Sequence, residues 1–73
     1  GVAKDEREAV RLYRLAADQG HAEAQCRLAT CLLDGIGVAS DESEAARLYR
    51  LAADQGNAFA QFNLGCCFET GTG

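Results

Sequence analysis

The chain has 73 residues, 48% of them hydrophobic and 25% charged, with four cysteines and no proline, methionine or tryptophan. That apolar share excludes an intrinsically disordered segment, a net charge of −4 offers no basic field for nucleic acid, and no run of about 18 apolar residues exists to span a membrane. The acidity is uneven, with five basic and six acidic side chains in residues 1–36 against two and five in residues 37–73; it serves solubility and at most gives a weak preference for basic partners.

In chain order, Asp5 and Glu8 have the spacing of a capping box, in which the first side chain accepts from a free backbone N–H and the second reaches back. A helix over about 5–19 is expected from there. Ala9, Leu12, Tyr13, Ala16 and Ala17 form one apolar stripe on it, expected to pack inward. Gly20 follows as a left-handed C′ residue, a conformation glycine adopts without a Cβ clash. His21 stands where a second helix begins, over about 22–33, with Ala24, Leu28 and Leu32 at i, i+4 and i+8 as its inward ridge. Asp34 and Gly35 end it, and Gly35, Ile36 and Gly37 make a loop leading to Asp41 and Glu44, a second capping box.

From there the chain repeats itself. Gly37–Gln55 (GVASDESEAARLYRLAADQ) copies Gly1–Gln19 (GVAKDEREAVRLYRLAADQ), so that Leu48 pairs with Leu12 and Tyr49 with Tyr13 at an offset of 36 (48 − 12). A third helix over about 41–55 carries the stripe Ala45, Leu48, Tyr49, Ala52 and Ala53. Asn57 caps a fourth over about 58–69, with Ala60, Leu64 and Phe68 as its ridge. Alanines at 16, 17, 22, 24, 52, 53, 58 and 60 crowd the two tight turns, where larger side chains would wedge the helices apart at about 1–3 kcal/mol. Gln25 and Gln61 are expected to bond a neighbouring helix end, since buried polar groups are satisfied.

Self-similarity at this offset marks a stacked-repeat architecture whose units cannot bury their apolar faces alone. Two such units span residues 1–36 and 37–73, and equivalent residues such as Tyr13 and Tyr49 are expected in like surroundings. Because solenoids usually need about three repeats, and the chain starts without methionine partway through a unit, it reads as a slice of a longer array with flanking repeats.

The loop glycines, the A-A-D-Q-G turns at Ala16–Gly20 and Ala52–Gly56, and the A-Q-x-x-L-G start at Ala60–Gly65 resemble the Sel1-like repeats, relatives of the tetratricopeptide repeats, whose period is shorter at about 34. The resemblance covers essentially the whole chain. It implies an all-α fold: an α-solenoid of two stacked helix-turn-helix repeats, four helices in a tetratricopeptide-like right-handed superhelix. Departures are Glu8 and Glu44 for lysine, Leu12 and Leu48 for tryptophan, Leu15 and Leu51 for lysine, and Ala29 for glycine.

Cys26, Cys31, Cys66 and Cys67 are the residues that invite a chemical reading. Cysteine is a small hydrophobe among the most buried residue types, and the inert reading leads. Disulfides within a helix are geometrically poor, and some secreted relatives place bridging cysteines where this chain has none, so a reducing, intracellular setting is favoured. No C-x-x-C pair suggests zinc. His21, the sole histidine, is read as a cap or a solvent-facing residue, and no nucleophile with an adjacent base can be assembled. Neither a catalytic residue nor a cofactor is expected.

The remaining candidates repeat on the first helix of each unit. Arg11, Arg14 and Asp18 recur as Arg47, Arg50 and Asp54, with Arg14 and Asp18 at the i, i+4 spacing worth about 0.2–0.5 kcal/mol. One reading is a solvated face. The other follows from the resemblance, which puts first helices on a concave surface, where arginines would receive acidic or C-terminal groups of a peptide. Leu15 and Leu51 lie on a flank that one hairpin need not bury, and would cover a neighbouring repeat or meet a ligand. Arg11, Arg14, Leu15, Arg47, Arg50 and Leu51 are therefore the expected contacts of a protein or peptide partner in a non-enzymatic interaction or scaffold module. Two rivals stand: a structural spacer between other domains, and a cysteine-based redox or metal module.

Overall fold

A computed structural model describes residues 5–71. Helices α1 (Glu6–Asp18), α2 (Ala22–Asp34), α3 (Glu42–Asp54) and α4 (Ala58–Thr70) follow one another in the chain, with no strand among the described residues. Each expected helix is present, its ends within about two residues of the sequence reading.

The caps explain where the helices start. Asp5 accepts from the Glu8 N–H at 3.1 Å and Asp41 from the Glu44 N–H at 3.1 Å, each satisfying one of the donors that a helix N-terminus leaves free. The return arm of each capping box does not form as expected. Glu8 and Glu44 instead turn their carboxylates to Arg11 and Arg47, which approach through Nε at 3.0 and 2.9 Å. A charge-assisted, two-pronged bond to arginine outcompetes a single bond to a backbone N–H. His21 is a cap: its Nδ1 accepts from the Ala24 N–H at 3.2 Å, where Asn57 accepts from Ala60 at 2.8 Å.

The two A-A-D-Q-G turns are superimposable in their bonding. Gly20 and Gly56 sit at φ of 86° and 89°, and their N–H groups bond Ala17 and Ala53 carbonyls at 2.9 Å in both copies. Each turn folds its two helices into an antiparallel hairpin, as the crowding of alanines requires; Ala17, Ala24, Ala52 and Ala60 are buried. Ala58 is the exception and is exposed, because it lies on the solvent side of the α4 first turn.

The hairpins pack through α2 and α3, the two central helices, with α1 chiefly against α2 and α4 against α3. Leu28, Leu32, Leu48 and Tyr49 anchor the core, joined by Val10 and Ala17 from α1 and by Ala60 and Cys67 from α4. Burying side chains of this size stabilises by about 1.5–3 kcal/mol each. Tyr49 is 1% exposed, and its hydroxyl shares a 2.7 Å hydrogen bond with Thr30 Oγ1 across the α2–α3 interface. Gln25 bonds the Ala17 carbonyl through Nε2 at 3.2 Å, and Gln61 repeats this to Ala53, as the sequence implied. Gln25 also accepts from Gln55 Nε2 at 2.7 Å, so one buried amide ties α1, α2 and the end of α3 together.

The loop between hairpins is pinned at both ends. Ile36 N–H bonds Cys31 O at 2.9 Å and Asp41 N–H bonds Leu32 O at 2.8 Å, while Ile36 and Val38 pack on the core. Gly37, at φ 70°, lies so close to α1 that a Cβ there would stand 2.5 Å from the Glu6 carbonyl oxygen.

Equivalent residues do not share surroundings, contrary to expectation. Leu48 is 4% exposed but Leu12 is 50%, and Tyr13 is only half-buried. On the other side Phe68, expected on the inward ridge of α4, is exposed and Leu64 half-buried, whereas Leu32 and Leu28 are buried. The cause is position: α3 is flanked by α2 and α4 and α2 by α1 and α3, while α1 and α4 each pack against one principal neighbour.

Candidate interaction surface

Arg11, Arg14 and Leu15 on α1, and Arg47, Arg50 and Leu51 on α3, are all exposed to solvent. Their positions follow from the helical period, since the stripe buried by α3 (Ala45, Leu48, Tyr49 and Ala52) leaves residues 47, 50, 51 and 54 on the remaining arc. Leu15 and Leu51 keep 50% and 39% of their surface, the flank the sequence left unburied.

Electrostatics bring the two helices onto one surface. The Arg47 guanidinium bonded to Glu44 holds that carboxyl below its usual range, helped by the charge of Arg14 on α1. In return the Arg47 pKa is raised, first by Glu44 and in smaller part by Asp18. Positive and negative groups thus alternate across the α1–α3 boundary. Glu8 likewise falls below its usual range because of Arg11. Glu8, Arg11 and Arg47 are exposed and Glu44 half-buried, so water screens these pairs and they add little to stability.

The four arginines are not alike. Arg11 and Arg47 are engaged by Glu8 and Glu44. The i, i+4 pairs expected between Arg14 and Asp18, and between Arg50 and Asp54, are not among the ion pairs of the described residues, which are Glu8–Arg11, Glu23–Arg27 and Glu44–Arg47. Arg50 instead lies over the Phe68 ring at 5.5 Å, a cation–π contact worth about 0.5–1 kcal/mol at an exposed site. Arg14 and Arg50 are therefore the arginines of this surface that form no ion pair among the described residues.

The second helices hold what sequence reasoning missed. Phe59 and Phe62 are 77% and 72% exposed. A cleft of about 540 Å³ runs along α2 between Tyr13 and Phe59, floored by Cys26 and Thr30 and edged by Arg27. The signal was in the offset: Phe59 aligns with Glu23 (59 − 36), and a position that carries glutamate in one copy is a solvent position.

Cys26, Cys31 and Cys67 are buried and Cys66 exposed, all as free thiols. Burial pushes the Cys26, Cys31 and Cys67 thiols above their ordinary range, and at Cys26 a bond with Asn63 offsets this only in part. These are the marks of packing cysteines, since reactive ones sit in electropositive, partly exposed places. Among the described residues no three of His, Cys, Asp and Glu come together in a group able to hold a metal ion, and no helix is long and apolar enough to cross a membrane.

Residues 1–21, 22–57 and 58–73 match the Sel1 repeat family. The longest of these matches, 22–57, is 36 residues long (57 − 22 + 1), equal to the repeat offset, and spans α2 and α3. No curated protein matches the chain. Among solved structures, a Sel1 repeat protein from Oxalobacter formigenes superposes with a TM-score of 0.94 at 37% identity, over 100% of this chain and 30% of that one. A protective antigen present in uropathogenic Escherichia coli strains, displaying an SLR fold, superposes with a TM-score of 0.92 at 37% identity, over 97% of this chain and 15% of that one. The chain thus spans less than a third of either structure it resembles. With family matches running from one end to the other and the same helical repeat in both structures, the chain belongs to the Sel1 repeat family.

Proposed function

We propose that the chain is a non-enzymatic protein-interaction module, two repeats at 1–36 and 37–73 within a longer array, that takes a protein or peptide partner on the surface shared by α1 and α3. Sel1 repeats generally mediate protein–protein interactions. The observation that carries the reading here is the doubled Arg-Leu pair: Arg14 with the half-exposed Leu15, and Arg50 with the exposed Leu51. An apolar side chain beside a cation, presented twice at the repeat spacing, suits an extended segment with alternating apolar and acidic residues. Arg11 and Arg47, held by their glutamates, add rim charge that affects encounter more than affinity. Binding of this kind needs shape and charge alone, with no transition state to stabilise.

Replacing Arg14→Glu and Arg50→Glu together tests it. Capture of the partner in a pull-down should fall about tenfold or more, the scale of losing interface anchors, while circular dichroism stays that of the parent. Unchanged capture removes this surface. The spacer reading is favoured by the Glu8–Arg11 and Glu44–Arg47 pairs, which already satisfy two of the four arginines. Deleting one 36-residue unit in register separates the two, because a spacer tolerates the loss once overall length is restored and a partner-reading surface does not.

A further inference from the structure

We propose that the segment taken by α1 and α3 is a polyproline-type extended strand with an acidic residue at every third position, laid across the two helices so that Arg14 and Arg50 receive successive carboxylates. This rests on the reading of α1 and α3 as the partner surface and specifies what occupies it. The surface stays open inside a longer array. One hairpin stacks before α3 and another after α1, and Arg14, Leu15, Arg50 and Leu51 are exposed in both settings. Leu12 and Leu48, by contrast, are 50% and 4% exposed, because the hairpin before α3 covers that other face.

Spacing selects the conformation of the ligand. Both α1 and α3 pack on α2, and the charges of Arg14 and Asp18 act on Glu44 and Arg47 across the boundary, so the first helices run side by side at about 8–10 Å, the distance of packed helices. Arg14 and Arg50, equivalent in the two repeats, recur at about that step. Three residues of a polyproline helix advance about 9.3 Å and complete one turn, which brings side chains i and i+3 to the same side. A β-strand offers same-side residues at about 6.6 or 13 Å, and neither fits. Leu15 and Leu51, one residue on from each arginine and about 100° round the helix, meet the apolar residue of each triplet, and the third residue faces solvent. Neither Arg14 nor Arg50 forms an ion pair among the described residues. Arg50 lies over the Phe68 ring, an attraction to a π face rather than to an acid, so both guanidiniums remain open to a bidentate carboxylate. A strand already set in this conformation has little entropy left to lose on docking.

The test titrates the 73-residue chain with synthetic repeats of Asp-Leu, Asp-Leu-Pro and Asp-Leu-Pro-Pro holding equal numbers of aspartates, followed by the amide resonances of Leu15 and Leu51. The Asp-Leu-Pro repeat should bind about tenfold or more tighter than the other two, the scale of one charge-assisted bond kept or lost. Arg14→Glu with Arg50→Glu should lose that peptide by a similar factor and gain the Lys-Leu-Pro repeat, a reversal that damage to the fold would not produce. Equal affinity for the three periods overturns the proposal. So does Asp-Leu-Pro binding that the charge swap does not move, with shifts falling instead at Phe59 and in the cleft beside Arg27. Failure of every aspartate repeat to bind also overturns it, and loss of natural-partner capture in the same double variant would then leave the broader reading standing alone. A preference for Asp-Leu-Pro that follows the charge swap while partner capture is unchanged upholds the spacing and sinks the broader reading. If the double variant loses helicity, the comparison of the three periods on the unaltered chain decides.

Discussion

Arg11–Gln19 and Arg47–Gln55 are the same nine residues, RLYRLAADQ, and they fold into the same turns of helix with the same C-terminal bonding. Yet Leu48 and Tyr49 are sealed in the core while Leu12 is half exposed and Tyr13 half-buried. Local sequence therefore decides that a helix forms and where it stops, and the neighbours decide what the helix contributes to stability. In a repeat protein stability is close to a sum of unit and nearest-neighbour terms, and this pair isolates the neighbour term at constant sequence.

The largest break in that equivalence is expected at the tyrosines. Tyr49→Ala removes a fully buried ring and its bond to Thr30 and should cost about 3–5 kcal/mol, much of what a chain this short has to lose. Tyr13→Ala should cost no more than about 1.5 kcal/mol. Urea titrations of the two variants check the pair, and equal losses would mean that α1 is as well covered as α3. Next in size is Gly37→Ala, at about 2–3 kcal/mol, because it combines positive φ with a Cβ 2.5 Å from the Glu6 carbonyl oxygen. Gly20→Ala meets nothing within 4 Å and should lose only the backbone preference, about 1 kcal/mol. The difference reads out how tightly the loop clasps α1.

A third comparison sets Gln25 against Gln61. Both amides bond the carbonyl that ends the preceding helix, but only Gln25 is buried and receives Gln55. Gln25→Ala should cost about 1–3 kcal/mol, since it strands a buried carbonyl and a donor. Gln61→Ala should stay within about 0.5 kcal/mol, as surface changes do. Thermal unfolding of the two variants suffices, and a large effect at Gln61 would show that its face is already covered.

Much of the fold was legible in the sequence because its determinants are local. Asp41 and Asn57 as caps, Gly20 and Gly56 as left-handed stops, and the 36-residue offset each specify their element without reference to anything distant. Burial was not, because it is a property of position in the stack. Phe68 carries the same ridge spacing as Leu32, but no second helix of the described residues packs beyond α4 as α3 does on α2, and helical spacing does not encode that. The candidate surface was half legible. Exposure of Leu15 and Leu51 follows from helical phase, whereas the capture of Arg11 and Arg47 by Glu8 and Glu44, and of Arg50 by the Phe68 ring, depends on rotamers and on contact with another helix, which periodicity does not describe.

The smallest expected effect concerns ionisation. Cys26 and Cys31 on α2, Tyr49 on α3 and Cys67 on α4 all have pKa values raised by burial, so the folded chain keeps protons that the unfolded chain gives up. Their contribution to stability is fully present below about pH 8.5, where unfolded thiols begin to titrate, and is lost as the pH rises through the raised folded values. The urea midpoint should be flat from about pH 7 to 8 and then fall toward about pH 10, the ordinary phenol range. Cys26→Ala should flatten the fall. The same asymmetry should appear in chemistry: a maleimide at about pH 7, where thiolate is scarce and access decides, should label Cys66 well before Cys67. Neighbours in sequence would then differ in reactivity only because one faces solvent and the other faces the α3 helix, the distinction drawn above between Leu12 and Leu48, now within one turn of one helix.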